Sequence, residues 1–208
     1  MEDVLAVYQR AYDAKRPVVC MDESSKQLLS ETRTPLPMEA GKAQRYDYEY
    51  ERQGVANLFM FFAPFENKRR VKVTNHRCRK DWAIAMKELS DEDYPEAEKI
   101  VVVMDNLNTH SPISFYETFP AEEARRLIER FEFHYTPKHG SWLDMAEIEF
   151  SVLARQCLNR RIPDIECLNA EVLAWAKHRN EKSSCINWRF TTEDARVKLK
   201  RLYPQFEV

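Results

Sequence analysis

Glycine is scarce in this sequence: Gly41, Gly54 and Gly140 are the only three in 208 residues, and each stands alone. That excludes the GxGxxG and GxxxxGKS/T loops, whose glycines let backbone approach a nucleotide phosphate. No apolar run nears the roughly 20 residues of a membrane span. The start, Met1-Glu-Asp-Val, has no basic segment leading into an apolar one, so no signal peptide is expected. The five cysteines (Cys20, Cys78, Cys157, Cys167, Cys185) are odd in number and form no CxxC pair, which suits reduced thiols in a cytoplasmic protein. His76 and Cys78 lack a second ligand pair at zinc spacing. A charge excess is also missing: 32 Lys and Arg against 34 Asp and Glu leave a net −2, a total that does not announce a nucleic-acid partner.

What is present makes one folded domain. The 44% hydrophobic and 32% charged residues exclude a disordered or collagen-like chain. A chain of this size buries roughly 70% of its unfolded surface without disulfide or metal staples. Periodicity predicts a helix over 2–14, ended by Pro17, then a buried strand Val18–Met21 running into Asp22. The polar stretch 24–54 reads as a long excursion or irregular hairpin. Strands follow at Val55–Phe65 and Arg70–Thr74, a helix at Lys80–Leu89, and the clearest strand of the chain at Ile100–Met104. Next come a helix at Ala121–Arg130, a strand at Phe131–Tyr135, and a helix capped by Asp144 with Ala146, Phe150, Leu153 and Cys157 on one face. Asp164 and Thr191 open two more helices. The order predicts a mixed sheet with helices packed on it, an α/β fold.

Two apolar strands end in an acid, Val-Val-Cys-Met-Asp22 and Val-Val-Val-Met-Asp105. Sheets of this kind place ligands at the carboxyl ends of their strands, so both carboxylates are expected at one rim. Glu147, a turn into the Asp144-capped helix, supplies a third. Three oxygen ligands suit hard divalent cations such as Mg²⁺ or Mn²⁺, and two such ions support phosphodiester chemistry. Taken singly, each acid also fits a turn or first-helical-turn role. Glu149 and Asp144 are rivals of Glu147. Residues 147 and 149 differ by about 200° around a helix axis and cannot face the same point; both flank the inward stripe, so periodicity does not choose.

Charge is patterned more sharply than its total. Residues 68–80 hold seven basic residues and no acid, and residues 81–98 hold seven acids against Lys87. The basic segment, with Arg69, Arg70 and Lys72, reads either as a phosphate track or as a set of ion pairs with the acids that follow. Lys138 and His139, in the loop entering the Glu147 helix, read as phosphate contacts or as solvated loop charges, and Arg155, beside Arg160 and Arg161, is a further candidate for binding phosphate. His110 reads as a loop histidine able to orient a ligand. Trp142 and Trp188 read as packing anchors.

Three blocks make the resemblance specific: Pro17-Val-Val-Cys-Met-Asp22-Glu23; Val102-Val-Met-Asp105-Asn-Leu-Asn-Thr-His110; and His134-Tyr-Thr-Pro-Lys-His-Gly-Ser-Trp-Leu-Asp-Met-Ala-Glu147-Ile-Glu-Phe150. With these and Trp188–Ala195 the chain resembles the DDE-type transposases of bacterial insertion sequences, in the branch related to the mariner group. The resemblance implies a ribonuclease-H-like fold over residues 17–190, between a short N-terminal helix (1–16) and a C-terminal helical extension (191–208). It implies Asp22, Asp105 and Glu147 as the catalytic acids and ligands of two Mg²⁺ or Mn²⁺ ions. In the family an asparagine often stands where this chain has Asp144. The implied activity is metal-dependent cutting of transposon ends and joining to target DNA. The partners implied are DNA and a homodimer or larger synaptic complex, with no membrane. Only about sixteen residues precede the first strand, too few for a three-helix recognition domain; end recognition is therefore expected from a separate helix-turn-helix chain or from the rest of a longer protein. The other readings are a stand-alone metal-dependent nuclease of the same fold and a non-enzymatic, transposase-derived DNA-binding or assembly protein.

Overall fold

The computed structural model describes residues 1–138, 140–182 and 186–203. Five strands form one mixed sheet in the order β3-β2-β1-β4-β5. These are β1 (Val18–Glu31), β2 (Tyr50–Ala63), β3 (Lys68–Thr74), β4 (Ile100–Met104) and β5 (Phe131–Tyr135). β1, β2 and β3 form an antiparallel meander, while β1, β4 and β5 run parallel. Asn67, at φ 53°, supplies the left-handed turn between β2 and β3.

The alternation of side chains across the strands builds two apolar layers. On one face Cys20, Met60, Phe62, Val101 and Val103 meet α1 (Glu2–Tyr8), α5 (Met145–Leu153), α6 (Ile165–Glu181) and α7 (Thr192–Lys198). On the other, Val19, Met21, Phe59, Phe61, Val102 and Met104 meet α2 (Arg79–Glu88), α3 (Ile113–Thr118) and α4 (Ala121–Arg130). With helices on both sides, every residue of β4 is buried, which is why its sequence is an unbroken apolar run. Among the described residues no helix is long and apolar enough to cross a membrane.

Several elements differ from expectation. β1 does not stop at Asp22 but continues to Glu31, because its polar half pairs with β2 as far as Glu31 and Tyr50. The excursion is thereby shortened to residues 32–49, pinned by bridges between Leu36 and Arg45 and between Glu39 and Lys42. The first helix ends at Tyr8 rather than near residue 14. α5 ends at Leu153 and runs into a wider π-type turn at Ala154–Leu158. The caps fall as expected: Asp144 Oδ1 accepts from Ala146 N–H, Asp164 from Cys167 N–H, and Thr191 and Asp194 cap each other. The described cysteines Cys20, Cys78, Cys157 and Cys167 are free thiols, and Cys185 lies outside the described residues.

Candidate active site

The parallel pair β1–β4 sets the site. Its last rung joins Met21 to Met104, so Asp22 and Asp105 follow side by side on strands about 4.8 Å apart. Both backbones are held by apolar residues packed on two faces, while the carboxylates emerge at the rim. α5 lies against β1 and β2, and Glu147 in its first turn is near enough for its charge to act on Asp22. Burial pushes the Asp22 carboxyl up to about 7, with the charges of Asp105 and Glu147 adding to the rise.

The acids are braced unequally. Asp22 Oδ1 accepts from the Glu23 N–H at 2.8 Å. His110 Nδ1 lies 2.6 Å from Asp105 Oδ1, and His110 Nε2 lies 3.6 Å from Glu23 Oε2. Burial alone would lower the imidazole; the two carboxylates outweigh it and lift His110 to about 9, so it is charged at neutral pH. Glu23 and Trp82, which complete this surround, were not singled out in the sequence. The only signal there was an acid directly following Asp22.

Asp144 is 2% exposed, and burial drives its carboxyl well above the usual range, helped by Asp22, Glu147 and Asp105. Its Oδ1 caps α5 while Oδ2 is buried without a hydrogen-bond partner. A folded-state pKa above the unfolded value of about 3.9 means that the native state binds the extra proton, so this residue costs stability increasingly as pH rises above 4. Asp144→Asn keeps the capping oxygen and does not titrate. In EDTA its stability should exceed that of the wild type by a margin growing with pH, at up to about 1.4 kcal/mol per unit. Urea unfolding at pH 5 and pH 8 reads this, and an equal difference at both would contradict it.

Glu149 is removed as a rival of Glu147. It is fully buried on the sheet-facing side of α5, with Arg69 Nε 3.1 Å from Oε2 and Arg179 Nη2 3.0 Å from Oε1. This also corrects the expectation for Arg69: its side chain is 0% exposed and spent on Glu149 and Asn180, not displayed to a phosphate. Arg70 is gathered by Glu88, Glu92 and Asp93, and Lys72 by Glu88. Here the basic segment answers the acidic segment that follows it. Lys138 and Arg155 remain exposed, and His139 lies outside the described residues. Arg160 pairs with Glu171, and Arg161 pairs with Glu31 and covers the Tyr46 and Tyr50 rings. Trp188 packs against the core as expected, whereas Trp142, stacked on it at 6.4 Å, is 41% exposed and is not a core anchor.

The donors suit a hard divalent cation. They are all carboxylate oxygens, they repel one another, and one carboxyl is already raised, chiefly by burial and further by the neighbouring charges. As the side chains stand, no group of three His, Cys, Asp or Glu among the described residues closes at ion-binding distance.

A five-stranded mixed sheet in this order, covered by helices on both faces and carrying Asp22 and Asp105 just past the last rung of the parallel β1–β4 pairing, defines a ribonuclease-H-like domain. Residues 17–169 match the family described as DDE superfamily endonuclease, and the chain belongs to that family. Two solved structures share the fold. The Mos1 mariner paired end complex with Mn superposes with a TM-score of 0.54 at 13% identity, over 86% of this chain and 56% of that one. The Mos1 strand transfer complex does so with a TM-score of 0.51 at 13% identity, over 86% and 56%. The chain therefore spans little more than half the length of these relatives. No curated protein matches it.

Proposed function

We propose that this chain is the catalytic domain of a transposase that cuts the ends of an insertion sequence and joins them to target DNA. The observation that carries the reading is the β1–β4 register, which sets Asp22 beside Asp105 at the rim where α5 delivers Glu147. Membership of an endonuclease family and a fold shared with a protein solved in paired end and strand transfer complexes support it.

Asp22, Asp105 and Glu147 would hold two Mg²⁺ or Mn²⁺ ions, which supply an activated oxygen nucleophile and neutralise charge on the phosphate. The protein's own part is positioning. Asp22 and Asp105 are fixed by buried strands, and Glu147 by a helix capped through Asp144 and anchored through Glu149. No side chain acts as nucleophile in this scheme: Cys20 is the buried thiol next to the site, and burial holds it in the unreactive protonated form. Lys138 and Arg155 are the exposed cations offered to DNA phosphate. End recognition would come from a separate helix-turn-helix chain or another part of a longer protein, and bringing two ends together calls for a homodimer or larger complex.

The test is incubation of the chain with DNA carrying the element's inverted repeats and Mg²⁺ or Mn²⁺, alongside calorimetric Mn²⁺ titration of wild type and Asp22→Ala. Joined products, with Mn²⁺ binding lost in Asp22→Ala, are expected. Hydrolysis without joining would point instead to a stand-alone nuclease, and absence of Mn²⁺ binding in both proteins to a non-enzymatic DNA-binding role.

A further inference from the structure

Asp105 is one end of a line of charged side chains that starts at Arg77 on the surface and passes through buried Glu23 and His110. Arg77, 54% exposed, places Nη1 3.5 Å from Glu23 Oε1. Glu23 Oε2 faces His110 Nε2 at 3.6 Å, and His110 Nδ1 faces Asp105 Oδ1 at 2.6 Å while also reaching the Asp105 carbonyl at 3.3 Å. The Glu23 and His110 side chains are 5% and 0% exposed. The imidazole is stacked on one side and the backbone that carries it is fixed. Trp82 stacks on it at 5.8 Å, the Tyr135 hydroxyl donates to the His110 carbonyl at 3.1 Å, and the His110 N–H closes a turn on Leu107.

This arrangement decides between the two oxygens of Asp105. The residue follows the last rung of β4, so nothing in the strand restrains its side-chain torsions. Oδ1 is buried 2.6 Å from His110 Nδ1, an ion-pair contact without hydrogen-bond geometry, while the Asp105 side chain as a whole is 32% exposed, so its exposed surface lies on atoms other than Oδ1. We infer that His110, oriented by Glu23, is a positioning residue that pins Asp105 Oδ1 and presents Oδ2 to a divalent cation. The inference rests on the proposed function, in which Asp105 is a cation ligand. Glu23 is buried with Arg77 Nη1 3.5 Å from one oxygen and His110 Nε2 3.6 Å from the other; its Oε2 and His110 Nε2 make no hydrogen bond, so Glu23 acts on the ring through its charge. Partners that orient a ligand in this way are typically worth 10–100-fold in metal affinity.

Calorimetric Mn²⁺ titration of the full chain tests the inference through two variants that differ in where they place a donor. The amide nitrogen of asparagine sits near the position of a histidine Nδ1, and that of glutamine near Nε2. His110→Asn therefore keeps a donor toward Asp105, and His110→Gln only toward Glu23. His110→Gln is expected to weaken Mn²⁺ binding about 10–100-fold, and His110→Asn to recover most of that loss. Glu23→Gln, nearly isosteric, is expected to weaken it less than about tenfold, with the double variant Glu23→Gln/His110→Gln no worse than His110→Gln alone because the residues act in one line. Equal losses in His110→Asn and His110→Gln, or unfolding of both with Glu23→Gln at wild-type affinity, would make the ring structural and overturn the inference. Wild-type affinity in His110→Asn, His110→Gln and Glu23→Gln, with binding lost in Asp105→Ala, would overturn it too and leave the site intact. Wild-type affinity in Asp105→Ala would instead remove the site reading itself.

Discussion

Asp105→Ala is expected, on the proposed function, to lower metal-dependent cutting and joining of DNA by at least about 10³-fold, because it would remove a ligand of catalytic cations and with it several kcal/mol of transition-state stabilisation. Asp105→Asn, which keeps the size and one oxygen, should fall nearly as far, since the charge is what holds a divalent ion. Neither change touches the apolar layers: Asp105 lies past the end of β4 and its side chain is partly exposed. A second readout separates loss of ligand from loss of fold. The Asp22 carboxyl is raised to about 7 in part by the charge of Asp105. With that charge gone, Asp22 should titrate at lower pH in EDTA, as carboxyl-carbon NMR can follow. Retention of metal-dependent nicking or joining by folded Asp105→Ala would contradict the assignment, and an unchanged Asp22 titration would show that the two acids are not neighbours.

Much of this site was legible in the sequence because its scaffold is local. Ile100–Met104 is five apolar residues in a row, and it forms a strand with those bounds because both faces of β4 are covered. Val18–Met21 carries the same signature. Two such strands ending in Asp are enough to predict a shared rim, and the register confirms that Asp22 and Asp105 follow the same rung. What was hidden depends on partners far along the chain. The polar half of β1 has no apolar alternation, so it read as an excursion; it is a strand because β2 runs beside it as far as Tyr50. Helix α3 is six residues long, too short to show a period. Periodicity left Glu147 and Glu149 equal, and the choice is made by Arg69 from β3 and Arg179 from α6. The same pairing explains why Arg69, which reads as a surface cation, is buried. His110 stood out only as a loop histidine, since Glu23 and Trp82, which give it a role, come from β1 and α2.

Glu149 is where a single substitution should damage the fold most. Its carboxylate is 1% exposed and bridges Arg69 and Arg179, whose side chains are 0% and 14% exposed. Asn180 adds three hydrogen bonds to Arg69, accepting from its backbone N–H at 2.9 Å and its Nη1 at 3.1 Å and donating to its carbonyl at 2.9 Å. Phe62 and Trp175 underlie the two guanidinium groups. Removing one partner of such a cluster strands the others without compensation, so Glu149→Ala should cost about 3–5 kcal/mol in urea unfolding. The charges themselves need not stabilise the protein. Replacing all three residues by apolar side chains of similar volume, as in Arg69→Met/Glu149→Leu/Arg179→Met, should recover most of that loss, because attraction between buried ions roughly offsets their desolvation. A cost below about 1 kcal/mol for Glu149→Ala would show the carboxylate to be dispensable. The consequence reaches the candidate active site, because α5 carries Glu147 two residues before Glu149, on the opposite flank of the same helix. A destabilised but folded Glu149 variant should bind Mn²⁺ more weakly than wild type, and the apolar triple variant should regain affinity together with stability. Affinity that stayed low after stability returned would mean that the arginine–glutamate cluster acts on the carboxylate rim through its charge, and not only by fixing the helix.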